Sequence, residues 1–223
     1  MNITQRLLEL NKDFEQHNEG FWSEPYDDKK LGFSSFNDAG IEVETGEFLY
    51  AMVRLLKPSR VLETGTHWGV GASYMGQALK DNGTGLLNTY EFLQPNYERA
   101  KKNITQMDLD SFVKVELADV AKLKLTEKYQ LILLDTEPQT RFAELIKFYD
   151  NLDAGGFVFI HDLHRHMHQI PNDEHGFAWP YGPLPKEIIK LVTDGKIRPF
   201  HFSTPRGLTG FYKVKDDDYK WTK

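Results

Sequence analysis

Val61-Leu62-Glu63-Thr64-Gly65-Thr66-His67-Trp68-Gly69-Val70-Gly71-Ala72-Ser73 joins a short apolar run to a glycine-rich turn and then to a helix-forming stretch. An open α/β sheet binds its ligand at such a strand-to-helix turn, where glycines let the backbone come close. The spacing of Gly65, Gly69 and Gly71 is not the G-x-G-x-x-G of dinucleotide binders, and a glycine pattern alone is weak. Its context strengthens it. Glu91 ends the next strand-like run, 28 positions after Glu63, where an acidic side chain accepts hydrogen bonds from two ribose hydroxyls. Asp119 follows the third such run, within reach of an adenine amino group. Taken singly, the glycines could serve tight packing and Glu91 could be a solvated strand end; taken in register, a nucleoside site is the better reading.

Outward from this turn, strand-like and helix-like segments alternate. The pattern predicts strands over 60–63, 85–90, 113–117, 131–134 and 157–160, and helices over 71–79, 95–107 and 142–149. Phe48, Leu49, Met52, Val53 and Leu56 predict a preceding helix, with Thr45 as its cap and Pro58 marking its end. Such alternation implies a parallel sheet with helices on both faces. Ile188, Ile189 and Val192 share a helical face, whereas 199–202 and 208–214 read as strands joined by Ser203-Thr204-Pro205-Arg206-Gly207. The expected fold is α/β: Rossmann-like, doubly wound, with a mostly parallel seven-stranded sheet and a C-terminal antiparallel hairpin. A single domain over 1–223 is expected, with an N-terminal helix and lid-like loop over 1–44 and the α/β core over 45–223. Ile3, Leu7, Leu8 and Leu10 suit that helix to covering a sheet edge or a second copy in a homodimer. The aromatics Phe21, Trp22, Tyr26, Phe33 and Phe36 make 18–38 an ordered loop.

The chain has 223 residues, 40% hydrophobic and 27% charged, enough for one large core. No apolar run approaches the ~20 residues of a membrane span, and residues 1–6 lack a signal layout, so a cytoplasmic location is expected. The absence of cysteine excludes disulfides, thiolate zinc sites and cysteine nucleophiles, leaving His, Asp, Glu and water for any metal. A net charge of −6 and a pI near 5.8 argue against nucleic-acid binding and favour a small-molecule substrate. Lys213, Lys215, Lys220 and Lys223, mixed with Asp216, Asp217 and Asp218, read as a solvated tail.

From about Gly40 to Asp162 the chain resembles the class I S-adenosylmethionine-dependent methyltransferases, whose first motif reads E-x-G-x-x-x-G; Glu63, Gly65 and Gly69 match it here. Glu44-Thr45-Gly46-Glu47-Phe48-Leu49 further resembles the small catechol and caffeoyl-CoA type and the sugar O-methyltransferases. The resemblance implies S-adenosyl-L-methionine as cofactor. Glu63, Gly65, Thr66, His67, Gly69 and Ser73 would line it on the turn, and Glu91, Phe92, Asp119 and Asp135 at the following strand ends. Glu63 would reach its amino group through backbone or water. His67 and Trp68 are bulky enough to be pocket walls.

Asp135 ends one apolar strand and His161-Asp162 the next, so both acids should emerge at the edge carrying the turn. In the metal-dependent relatives such acids hold a divalent ion, Mg²⁺ or Mn²⁺; Asp135 and Asp162 match two ligand positions, and Leu163 stands at the third. Glu137, His161 or His164 could replace it. The expected catalytic residues are therefore Asp135, His161, Asp162 and His164, with either a histidine as general base or a metal lowering the acceptor's pKa. Gly176-Phe177-Ala178-Trp179-Pro180-Tyr181-Gly182-Pro183, with Trp22 and Phe36, either encloses a planar acceptor or forms a rigid surface loop. Arg206 either meets an anionic acceptor or closes the hairpin. Competing readings are a His/Asp metal-dependent oxygenase or hydrolase on the same fold, and a catalytically silent donor-binding protein.

Overall fold

Leu131, Ile132, Leu133 and Leu134 are all fully buried, so the strand that carries them must be covered on both faces. The computed structural model describes residues 3–14, 36, 40–163, 184–202, 204 and 206–215. In chain order these form α1 (Ile3–Leu10), α2 (Val43–Leu56), β1 (Arg60–Thr64), α3 (Val70–Asn82), β2 (Leu86–Glu91), α4 (Gln94–Gln106), β3 (Val113–Leu117), β4 (Tyr129–Leu134), α5 (Arg141–Phe148), β5 (Leu152–His161), α6 (Lys186–Thr193), β6 (Ile197–Phe202) and β7 (Leu208–Lys213). The strands make one seven-stranded sheet in the order β3-β2-β1-β4-β5-β7-β6. β1 to β5 pair in parallel, and β7 runs antiparallel to both β5 and β6. This is the expected doubly wound sheet with one reversed strand.

The period of two along each strand divides the core. Val61, Leu131, Leu133 and Phe159 face Leu49 and Val53 of α2 and Met75 and Leu79 of α3. Leu62, Ile132, Leu134 and Val158 face Phe142, Leu145 and Phe148 of α5 and Ile188 of α6. After β1 the chain lays β2 and β3 to one side and then returns to place β4 on the other. The carboxyl ends of β1 and β4 therefore flank a switch point, the place for a ligand in such sheets.

Several expectations are corrected. α2 starts at Val43 with Glu42 at its cap position, and Thr45 is fully buried inside the first turn instead of capping it. Phe36 is buried against Phe14, ring centres 5.4 Å apart, and so belongs to the core rather than to an acceptor pocket. Lys213 is no tail residue: it lies in β7, and its Nζ donates to the carbonyls of Tyr149 and Leu152 at 2.8 and 2.7 Å. α1 packs Leu7 fully into the chain's own core, with Ile3, Leu8 and Leu10 against it. Among the described residues no helix is long and apolar enough to cross a membrane.

Candidate active site

Gly65 opens the turn after β1 with φ +81°, and a Cβ there would run into the Asp135 carbonyl on β4's extension. Glycine is required by both backbone conformation and space. The amides of Gly65 and Thr66 donate to the Tyr90 carbonyl at 3.0 and 3.2 Å, tying the turn to β2. Gly71, at the start of α3, leaves room for Glu63, whose Oε1 would lie 2.5 Å from an added Cβ. The Thr89 hydroxyl donates to Glu63 Oε2 at 2.5 Å and so must accept from Thr66, also at 2.5 Å. Burial, opposed by that hydrogen bond and aided by Asp135 and Glu91, lifts Glu63 to about 8. Glu63 is thus a neutral acid beneath the turn at neutral pH.

This has a measurable consequence. A carboxyl raised on folding favours the folded state below its ordinary value and loses that contribution as pH climbs toward 8. Between pH 5 and 6.5 the loss should reach up to about 1.4 kcal/mol per pH unit. Chemical denaturation across that window should show a falling stability in the native sequence and a flatter profile in Glu63→Gln; parallel profiles would refute a neutral Glu63.

Glu91, only 6% exposed, accepts from the His67 amide at 2.7 Å and from the Leu93 amide at 2.8 Å, one on each oxygen. It therefore fixes His67, which has φ +49°, and the start of the β2 loop. The His67 ring stacks on Trp68, centres 4.9 Å apart, and burial pushes its pKa down. Trp68 in turn lies under the Arg99 guanidinium, 3.7 Å from ring centre. Phe92 is 67% exposed beside Glu91. Asp119 stands past β3 and is held below the usual carboxylate range by the hydrogen bond from Lys122 and by the Ala121 amide. Ser73 is withdrawn from the site: it is fully buried, and its hydroxyl donates to the Gly69 carbonyl at 2.6 Å.

At the opposite lip, β4 and β5 bring Asp135, His161 and Asp162 together as the sequence led one to expect, but with three partners it did not. His161 is 1% exposed, and its Nε2 and Nδ1 lie 2.5 Å from Glu42 and 2.8 Å from Asp135. Both ring nitrogens face carboxylates, so both must carry protons to donate. Burial opposes that charge, but Asp135, Asp162 and Glu42 outweigh it and raise His161 to about 10. His161 is a fixed cation here, which corrects its expected role as general base. Asp162, at φ +56°, meets Arg141 at 3.1 Å and Arg206 at 2.8 Å. Burial pushes Asp162 up, and His161, Arg141 and Arg206 together bring it below the ordinary range. Glu42 follows the same pattern, its burial offset first by His161. The Arg206 amide donates to Glu42 at 3.1 Å and its guanidinium to the Gly40 carbonyl at 2.8 Å, so Arg206 closes the hairpin onto the edge.

Glu42, His161 and Asp162 place ligand atoms within 4.8 Å of one another, yet the donor set does not fit a divalent ion. Both His161 nitrogens are engaged, and Asp135 and Asp162 are already joined by Arg141, with NH2 3.1 Å from one carboxylate and NH1 3.1 Å from the other. The expected metal pair is a salt-bridged pair instead. Glu137 lies outside this cluster, its backbone carbonyl accepting from Thr140. His164, Trp22 and residues 176–183 fall outside the described residues. Two open cavities, about 690 Å³ between α1, α2 and α3 and about 400 Å³ along α4, are lined by none of these side chains.

Residues 62–163 match the family described as methyltransferase domain. This stretch is a methyltransferase domain. It contains the glycine turn, Glu91, Asp119, Asp135, Arg141 and both members of the His161-Asp162 pair. No curated protein sequence matches the chain. Among solved structures, the methyltransferase domain and its flanking elements share their fold with the O-methyltransferase TomG from Streptomyces achromogenes in complex with SAM, 13% identical, TM-score 0.68, over 95% of this chain and 90% of that one. The O-methyltransferase from Bacillus cereus in complex with SAH is 14% identical, TM-score 0.65, over 94% and 91%. SAH-bound methyltransferase PaMTH1 from Podospora anserina is 15% identical, TM-score 0.65, over 96% and 88%. At these identities the likeness is one of fold.

Proposed function

We propose that the methyltransferase domain takes its methyl group from S-adenosylmethionine and transfers it to an oxygen of a small-molecule acceptor at the edge formed by Asp135 and Asp162. The observation that carries the reading is the Glu91 carboxylate, pinned beside the Gly65 turn by two backbone amides. Its remaining lone pairs suit two ribose hydroxyls, the exposed Phe92 ring suits an adenine face, and Asp119 suits the adenine amine. When bound, S-adenosylmethionine supplies an electrophilic methyl on a sulfonium sulfur. The turn and Glu91 orient it, and the charged edge around Asp135 closes the crevice on the reacting side, so the chain's contribution is alignment and exclusion of water. As the O–CH₃ bond forms, the methyl's bond to sulfur would break to leave a neutral thioether, and the acceptor gives up its proton. His161 already holds both of its protons, so the proposed base is His164, assigned by its place in the sequence alone.

Calorimetric titration with SAM and with SAH tests this. Both should bind at micromolar concentration, and Glu91→Ala should weaken binding at least tenfold, about 1.4 kcal/mol; binding of neither nucleoside would overturn the proposal. A cytoplasmic location accompanies this reading. A homodimer through α1 does not, because that helix spends its apolar side inside the chain.

A further inference from the structure

Arg141 is the first residue of α5, where the helix dipole disfavours a cation, and its side chain is only 4% exposed. Its placement therefore needs a local reason. The guanidinium donates through Nε to the Thr136 carbonyl at 2.7 Å and through NH1 to the His161 carbonyl. It also reaches the two carboxylates, Asp135 Oδ1 and Asp162 Oδ2, each at 3.1 Å. One planar fork thus spans the two strand ends at which a divalent ion would be expected. The position that would supply a third ligand is Leu163, buried and without a ligand atom.

We propose that the Arg141 guanidinium is the site's built-in cation, standing in the place of a divalent metal, so that methyl transfer here proceeds without one. The inference deepens the methyltransferase reading and rests on it. The pairing already in place supports it. Asp135 and Asp162 are already met by Arg141 at 3.1 Å each and Asp162 by Arg206 at 2.8 Å, while both His161 ring nitrogens are taken up by Glu42 and Asp135, so a dication would have to displace buried partners that the carboxylates already have. Chemistry supports it as well. Arginine stays charged throughout the physiological range and bridges carboxylates with a fixed geometry, holding Asp135 and Asp162 apart and oriented as an ion would. A guanidinium so enclosed does not bind the acceptor oxygen as a Lewis acid does. The acceptor must then ionise without a metal, which favours a phenol, near pKa 10 as in tyrosine, over an aliphatic alcohol.

The test uses the full chain and Mn²⁺ alone as probe, with free Mn²⁺ followed by electron paramagnetic resonance and SAH binding measured calorimetrically on the same samples. The native chain should bind no Mn²⁺ up to about 1 mM, and its SAH affinity should be the same with EDTA or with Mn²⁺. Arg141→Leu, and Arg141→Gln should the first not fold, should free the two carboxylates and tighten Mn²⁺ binding at least tenfold. A native chain that binds one Mn²⁺ at micromolar concentration while still binding SAH overturns this proposal and leaves the methyltransferase reading intact. So does a folded Arg141 variant that gains no affinity. A native chain that binds no SAH overturns the methyltransferase reading itself.

Discussion

Gly65→Ala should cost the folded state at least about 3 kcal/mol and lower S-adenosylmethionine affinity more than a hundredfold. Part of the cost is conformational, since an alanine at φ +81° enters the left-handed region at about 1–2 kcal/mol. The rest is steric. The new methyl would press on the Asp135 carbonyl, and Asp135 cannot retreat because its amide donates to the Thr64 carbonyl at 2.9 Å, extending the β1–β4 ladder. The turn would have to move instead, carrying with it the backbone that faces the donor and the His67 amide that Glu91 holds. Gly69→Ala is the control. Its φ is nearly the same at +82°, but the nearest atom to an added Cβ is 3.4 Å away, on Ala100. Only the conformational part, about 1–2 kcal/mol, should then be lost. Chemical denaturation and SAM titration of the two variants separate the contributions; equal losses would mean that contact with Asp135 does not govern the turn.

The features readable in the sequence were those with local or periodic signatures. The all-apolar run ending at Leu134 announces a strand covered on both faces, and the carboxyl-end placement of Asp135 and Asp162 follows from the parallel order. β5 begins at Leu152, well before the expected Phe157, and its Gly155-Gly156 pair sits where β4 and β5 shift register between Tyr129 and Leu131, which breaks the periodic signal. The Ser73 reading failed because a serine in the first turn of a helix has a competing partner, the carbonyl four residues back. The reading of His161 as a base failed because nothing in His161-Asp162 reports burial or the carboxylate arriving from 119 residues away. Of the two missed residues, Arg141 and Glu42, Arg141 carried a hint, a cation opening a helix against its dipole. Glu42 carried none, and although Arg206 reads as closing the hairpin or meeting an acceptor, its pairing with Glu42, 164 residues apart, is set by tertiary contacts alone.

Glu42 offers the second large effect, and its direction can be reasoned from a local rule that it breaks. An acid at the cap position of α2 would ordinarily accept from the helix's first amides, a contact contributing about 0.5–2 kcal/mol. Glu42 makes no such bond; its fully buried carboxylate reaches across to His161 at 2.5 Å and to the Arg206 amide at 3.1 Å. Glu42→Ala should therefore cost about 3–5 kcal/mol, because it leaves His161 as surplus buried charge. Glu42→Asp makes the sharper test. Aspartate is a better cap by intrinsic preference but is one methylene too short to keep the His161 contact, so a cap-dominated position would be stabilised and a pair-dominated one destabilised. We expect destabilisation of at least about 1.5 kcal/mol, the scale of one charged hydrogen bond. Adding His161→Leu to Glu42→Ala should return part of the loss, because the variant cluster then buries one cation fewer, so the double mutant should lose less than the sum of the two single changes. Strict additivity in that cycle would mean that Glu42 acts through the helix and not through the histidine.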